Sequence, residues 1–195
     1  PDLPEKGDAE KFSSFPDGRS FEDLYFYLSG ENNAPSFSET EVYEMLSRQC
    51  SYTESRFDCA DFRCQLLFKL YKDCGERLTK ESRELIKNTF LGFKYFMDEP
   101  GDDSMCYWSE NHQIMFAAAE YLAGQEWENE IFLNSGMPGA EHRKKAAERI
   151  EIWMKQRFLY GFSEYLSNNY LAEDISPMAN FIAYCRDGEA VTRMK

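Results

Sequence analysis

The chain has 195 residues, 43% hydrophobic and 16% aromatic, and its 22 basic against 35 acidic side chains give a formal charge of −13. That length and apolar content suit one folded domain with a real core and exclude a disordered polyelectrolyte. The negative balance argues against nucleic acid and anionic membrane as general partners, so an anionic substrate needs a locally basic site.

No stretch approaches the roughly 18 uninterrupted apolar residues of a membrane-crossing helix, so no membrane insertion is expected. The start, Pro1-Asp2-Leu3-Pro4-Glu5-Lys6, carries no secretory signal pattern. Without an initiator Met, that start says little about compartment.

Residues 1–19, rich in Pro, Gly, Asp and Ser, read as an extended arm, and residues 20–195 as a single helical domain. A short helix covers Phe21 to Leu28 and stops at Gly30. Ser38-Glu39-Thr40-Glu41 is a capping-box pattern opening a helix to about Gln49. Apolar and cysteine positions at helical spacing run from Ala60 to Cys74, before Gly75. Thr79 caps the next helix, which carries Leu85, Phe90, Phe93 and Phe96 and breaks at Glu99-Pro100-Gly101-Asp102-Asp103. Ser109 starts a helix whose Ile114-Met115-Phe116-Ala117-Ala118-Ala119 run predicts burial on nearly every side, ending near Gly124. After Asn134-Ser135-Gly136-Met137-Pro138-Gly139 comes a long amphipathic outer helix, with Ala147, Ile150, Met154 and Phe158 on its apolar face. A short helix is expected from Ser163 to Tyr170, then one launched by Ser176-Pro177 through Met178 to Cys185. Another begins after Asp187-Gly188. No strand-like alternation survives, so the fold class is all-α, with antiparallel helical hairpins.

The six cysteines, Cys50, Cys59, Cys64, Cys74, Cys106 and Cys185, form no CxxC pair. They read as reduced, packed thiols, with a Cys50 to Cys59 bridge as the main exception. Only two histidines exist, His112 and His142, neither with a cysteine at ligand spacing. No metal site and no cofactor are therefore expected. Glu99 with Asp102-Asp103 reads as an acidic solvated loop before it reads as a calcium site. Arg143-Lys144-Lys145 reads as the exposed face of the outer helix, with His142 facing solvent.

Two polar clusters stand out. Trp108-Ser109-Glu110-Asn111-His112 puts hydrogen-bonding groups in the first turn of the buried helix. Capping explains it in part, since Ser109 suits the N-cap and Glu110 the positive end of the helix dipole. A site explains it too: the same dipole disfavours an imidazolium, leaving His112 as a neutral base, and Asn111 offers an amide donor. Tyr160 to Tyr170 holds Glu164, Tyr165, Asn168, Asn169 and Tyr170, a dense set of donors and acceptors between apolar helices. That cluster reads either as a polar interhelical turn or as the second half of a site.

The order Glu110-Asn111-His112, then an aromatic and small-residue helix (Phe116 to Tyr121), then Asn169-Tyr170-Leu171 resembles the α/α-toroid polysaccharide lyases, alginate lyases in particular. Over residues 80 to 185 the resemblance implies a carbohydrate-active enzyme that cleaves a uronate-containing polysaccharide or oligosaccharide by β-elimination. Asn111 would neutralise the uronate carboxylate, His112 would take the α-proton, and Tyr170 would protonate the leaving oxygen. Trp108, Tyr165, Asn168, Asn169 and Arg157 would bind substrate, Arg157 being the candidate for the lyases' active-site Arg. Glu110 stands where the lyases have Asn, and Asn168 where they often have His. The resemblance implies a partial (α/α) toroid whose last hairpins fall beyond Lys195, and a secreted or periplasmic location. The alternatives are a glycoside hydrolase using Glu110 and Glu164 as its two carboxylates, and a non-catalytic helical scaffold or glycan-binding module.

Overall fold

The computed structural model describes Phe15, residues 17–163 and residues 165–195. The expected N-terminal arm falls largely outside these residues. The described residues form α-helices joined by turns, without a strand; Ile131 and Pro138 make an isolated antiparallel bridge. The chain divides into two compact units, Pro1–Phe90 and Leu91–Lys195.

In the first unit lie α1 (Phe21–Ser29), α2 (Glu39–Glu54), α3 (Ala60–Cys74), a short 3-10 turn (Gly75–Arg77) and α4 (Lys80–Gly92), whose last residues enter the second unit. Capping boxes start α1 and α2: Ser20 and Asp23, like Ser38 and Glu41, bond each other's backbone N–H groups. Gly30 ends α1 at φ 85°, a conformation that favours glycine. Leu24, Met45, Leu46, Leu67, Phe68, Ile86 and Phe90 fill the core. Helix α2 runs past the expected end at Gln49, because Gln49, Cys50, Tyr52 and Thr53 continue its buried face. Cys50 therefore lies within that buried helix rather than in a loop, and the bridge to Cys59 does not form; all six cysteines are free thiols.

The second unit holds α5 (Glu110–Glu126), α6 (Gly139–Tyr160), α7 (Tyr170–Tyr184) and α8 (Gly188–Met194). Every residue of α5 from Ile114 to Gln125 is buried, as its continuous apolar run predicts. Helix α6 packs antiparallel to it. The end of α5 meets the start of α6 at Gly124 and Gly139, and the Trp153 indole N–H near the end of α6 donates to the Glu110 carbonyl at 2.9 Å. Helix α7 runs parallel to α5, with Asn111 bonding Glu173 at their starts and Gln125 bonding the Tyr184 carbonyl at their ends.

Three expectations change here. The described residues between Ser163 and Asn169 form no helix, and α7 begins at Tyr170 and runs through Pro177. Its buried stripe of Asp174, Pro177 and Phe181 explains the continuity, for the proline sits on the packed side. The buried face of α6 is His142, Ala146, Ile150 and Trp153, about one position round from the expected one, leaving Phe158 exposed. Helix α5 continues to Glu126, so Gly124 is not its stop. It serves close approach, since a Cβ there would lie 2.5 Å from the Gly139 carbonyl oxygen and 2.7 Å from the Arg143 nitrogen.

Gly124→Ala should therefore destabilise the protein by roughly 1–3 kcal/mol, because backbone must move to admit the methyl group. Gly75→Ala, with nothing within 4 Å of its Cβ, should not. Equal melting temperatures for the two variants would refute the close-approach role. Burial pushes the Cys50 thiol up to about 12, the Cys64 thiol well above its usual range and the Cys74 thiol upward. At mildly alkaline pH a thiol reagent should modify the partly exposed Cys59, Cys106 and Cys185 in the native protein, and Cys50, Cys64 and Cys74 only after unfolding.

Candidate functional site

The first turn of α5 is polar yet buried, so its groups must find partners. The Glu110 carboxylate finds four contacts. Arg157 of α6 reaches it at 2.6 Å, the Ser163 backbone N–H donates to both oxygens at 2.9 and 3.1 Å, and the Ser163 hydroxyl donates at 2.7 Å. The Arg157 guanidinium also lies over the Trp153 ring, 5.2 Å from its centroid. Glu110 thus clamps the segment leaving α6 onto the start of α5.

Asn111 faces the other neighbour. Its amide donates to Glu173 of α7 at 3.1 Å, and its carbonyl oxygen accepts the Ser109 hydroxyl at 2.8 Å. Ser109 occupies the N-cap position, but that bond replaces the expected side-chain cap. His112 is buried, its ring 6.4 Å from that of Phe116. Tyr170 opens α7, one turn before Glu173, and is 45% exposed. Trp108 and Tyr165 are 74% and 66% exposed, and Asn168 and Asn169 are exposed too. Glu164 lies outside the described residues.

The structure therefore gathers Glu110, Asn111 and Arg157 with three residues the sequence reading missed: Ser163, Trp153 and Glu173. Glu173 had a signal, an acidic residue in a first turn like Glu110. That signal is visible only once α7 is known to start at Tyr170 rather than at Ser176.

A second polar cluster lies in the middle of the same helix pair. His142 is fully buried, not solvent-facing. Its Nδ1 is 2.6 Å from Glu120, its Nε2 is 2.7 Å from the Ser135 hydroxyl, and its ring stacks on Phe132 with centroids 4.3 Å apart. Arg149 pairs with Glu120, and Lys145 reaches Glu99 at 3.4 Å and Glu120 at 3.9 Å. Lys145 thus turns inward, unlike the exposed basic face expected of it. Glu99, expected in a solvated loop, is buried and also accepts from Asn134, while Asp103 of the same loop pairs with the buried Lys94.

Ligand atoms of Glu99, Glu120 and His142 all lie within 4.8 Å of one another, a spacing that suits a metal ion. The Lys145 ammonium and Arg149 guanidinium already supply the positive charge those carboxylates need. The Ser135–His142–Glu120 chain has the connectivity of a nucleophile relay, but the Ser135 oxygen also accepts the Met137 N–H at 3.1 Å, which ties it into its own turn. This cluster latches the turn before α6 onto the core.

No family model, curated protein or solved structure matches the chain. At the start of α5 the side chains offer a fixed carboxylate, an oriented amide and a buried imidazole, with the partly exposed Glu173 carboxylate bonded to that amide.

Arg157→Ala should leave Glu110 charged, buried and short of its strongest partner, at a cost of about 3–5 kcal/mol. The double variant Glu110→Gln/Arg157→Ala should be more stable than the sum of the single losses predicts. Strict additivity in chemical unfolding would show that the two side chains do not act as a pair.

Proposed function

We propose that the chain is a carbohydrate-active enzyme of α/α-toroid type that cleaves a uronate-containing polysaccharide by β-elimination at the start of α5. The observation that carries this reading is the meeting of two parallel helices at their polar first turns, through Asn111 and Glu173. A buried helix, an antiparallel outer helix and a second helix parallel to the first form the repeating unit of such a toroid. The exposed rings of Trp108 and Tyr165 suit stacking on sugar faces.

The residues divide the work as follows. His112 takes the proton on the carbon bearing the uronate carboxylate. The electron pair forms the new C4–C5 double bond, the C4–O bond breaks, and Tyr170 gives its proton to the departing oxygen. One hydrogen of the Asn111 amide is held by Glu173, and in this mechanism the other goes to the substrate carboxylate. Arg157 is committed to Glu110, so it acts as a positioning residue and cancels the charge that Glu110 would otherwise set against an anionic sugar. Secretion or a periplasmic location accompanies this proposal, since such polymers lie outside the cell.

Glu173 favours a second reading, a glycoside hydrolase, because a partly exposed carboxylate beside Asn111 suits acid or base work better than the clamped Glu110. Digestion of alginate, pectate and glucuronate-containing glycans separates the two. Elimination yields a 4,5-unsaturated uronate that absorbs in the ultraviolet, with His112→Ala and Tyr170→Phe each losing about 100-fold or more in rate while melting normally. New reducing ends without that absorbance, abolished by Glu173→Gln, indicate the hydrolase. No cleavage of any of these polymers removes both and leaves the glycan-binding module.

A further inference from the structure

The opposite end of the second unit holds a cavity of about 550 Å³, lined by Tyr121 and Gln125 of α5, Ala140, Arg143, Lys144 and Ala147 of α6, and Arg186 and Asp187 of the turn before α8. Its volume is that of a small-molecule site. Three cationic side chains from two separate elements face it, in a chain of formal charge −13. Its one lining carboxylate, Asp187, has an oxygen occupied by the Glu189 and Ala190 N–H groups at the start of α8, at 3.0 and 3.1 Å.

We propose that this cavity binds the phosphate group of a small phosphorylated molecule, held between Arg143, Lys144 and Arg186.

The turn that carries Arg186 is anchored, because Gln125 accepts the Arg186 backbone N–H at 2.7 Å and donates to the Tyr184 carbonyl at 3.0 Å. Two guanidinium forks and an ammonium, arriving from α6 and from this turn, match an anion with three oxygens and nearly two charges better than a planar carboxylate with two oxygens. Two carboxylates outside the lining compete for the guanidiniums: Glu126 pairs with Arg186 at 2.7 Å and Glu128 with Arg143 at 3.6 Å. Lys144 makes no ion pair among the described residues. Burial, together with the Cys185 thiol, pushes the Tyr121 hydroxyl above its ordinary range, so this part of the wall adds no negative charge. Ala140 and Ala147 leave room for the apolar body of the ligand.

The cavity is separate from the proposed elimination site. That site sits at the start of α5, and this cavity lies at its other end.

Calorimetric titration of the full chain with inorganic phosphate, glucose 6-phosphate and glucose tests it at low salt. The expected result is saturable binding of glucose 6-phosphate with a dissociation constant of about 1 mM or tighter, weakened by added salt, and none of glucose. Tighter binding of glucose 6-phosphate than of inorganic phosphate assigns the site to a phosphorylated molecule, and the reverse order assigns it to free phosphate. Lys144→Glu and Arg186→Glu, both at exposed positions, should each weaken binding about tenfold or more, and the variant carrying both should weaken it further. Melting temperatures confirm that the variants fold. Failure of both phosphates to saturate, or equal affinity in the double variant, overturns the proposal.

Discussion

The second unit depends on the burial of α5. A helix surrounded on all sides has no solvent face on which to place a charge, so each polar residue on it must be matched by a neighbour. Its two buried carboxylates are matched from one neighbouring helix, α6. Glu110 in the first turn takes Arg157, and Glu120 near the last turns takes Arg149 and the imidazole of His142. Apolar contacts such as Ile150 against the core bring α6 and α5 together, but they tolerate sliding by a turn. The charge pairs do not, because a slip would strand a buried carboxylate.

Such pairs contribute less to stability than their short distances suggest, since both partners lose water. Their contribution is register. With Gly124 and Gly139 allowing backbone contact at one end and Trp153 bonded to the Glu110 carbonyl at the other, α6 is held at three heights along α5. The first turn of α5 is fixed as a consequence. Asn111 then needs only Ser109 and Glu173 to settle its orientation, a degree of preorganisation that a group on a loose loop would lack.

Much of the helical layout was legible because caps and periodicity act locally. The Ser20 and Ser38 boxes, the Gly30 stop and the unbroken apolar run of α5 each need only their own neighbours in sequence. What was illegible depends on tertiary partners. His142 lies among Arg143, Lys144 and Lys145, so its surroundings in sequence are those of a surface. Only the approach of Glu120, Ser135 and Phe132 makes it a core residue. Pro177 misled for a related reason: its local preference is to start a helix, and the packing of Asp174, Pro177 and Phe181 carries α7 through it. Of the candidate site, Glu110, Asn111 and Arg157 were recognisable by type, whereas Glu173 was hidden behind that misplaced boundary.

The fate of Glu110 shows how a catalytic type of residue can be diverted. By sequence it is a carboxylate in a first turn beside a histidine, a fit for acid or base chemistry. In the structure, two hydrogen bonds from the Ser163 N–H, one from its hydroxyl and an ion pair from Arg157 occupy both oxygens. A proton-transferring group needs an oxygen open to substrate, and both oxygens of Glu110 are taken. In the proposed mechanism, proton transfer at this end of α5 therefore falls to His112 and Tyr170, or to Glu173 in the hydrolase reading. Tyr170, at the exposed start of α7, and Glu173, one turn further along, are both partly open to solvent, while Glu110 holds in place the turn that leads toward them.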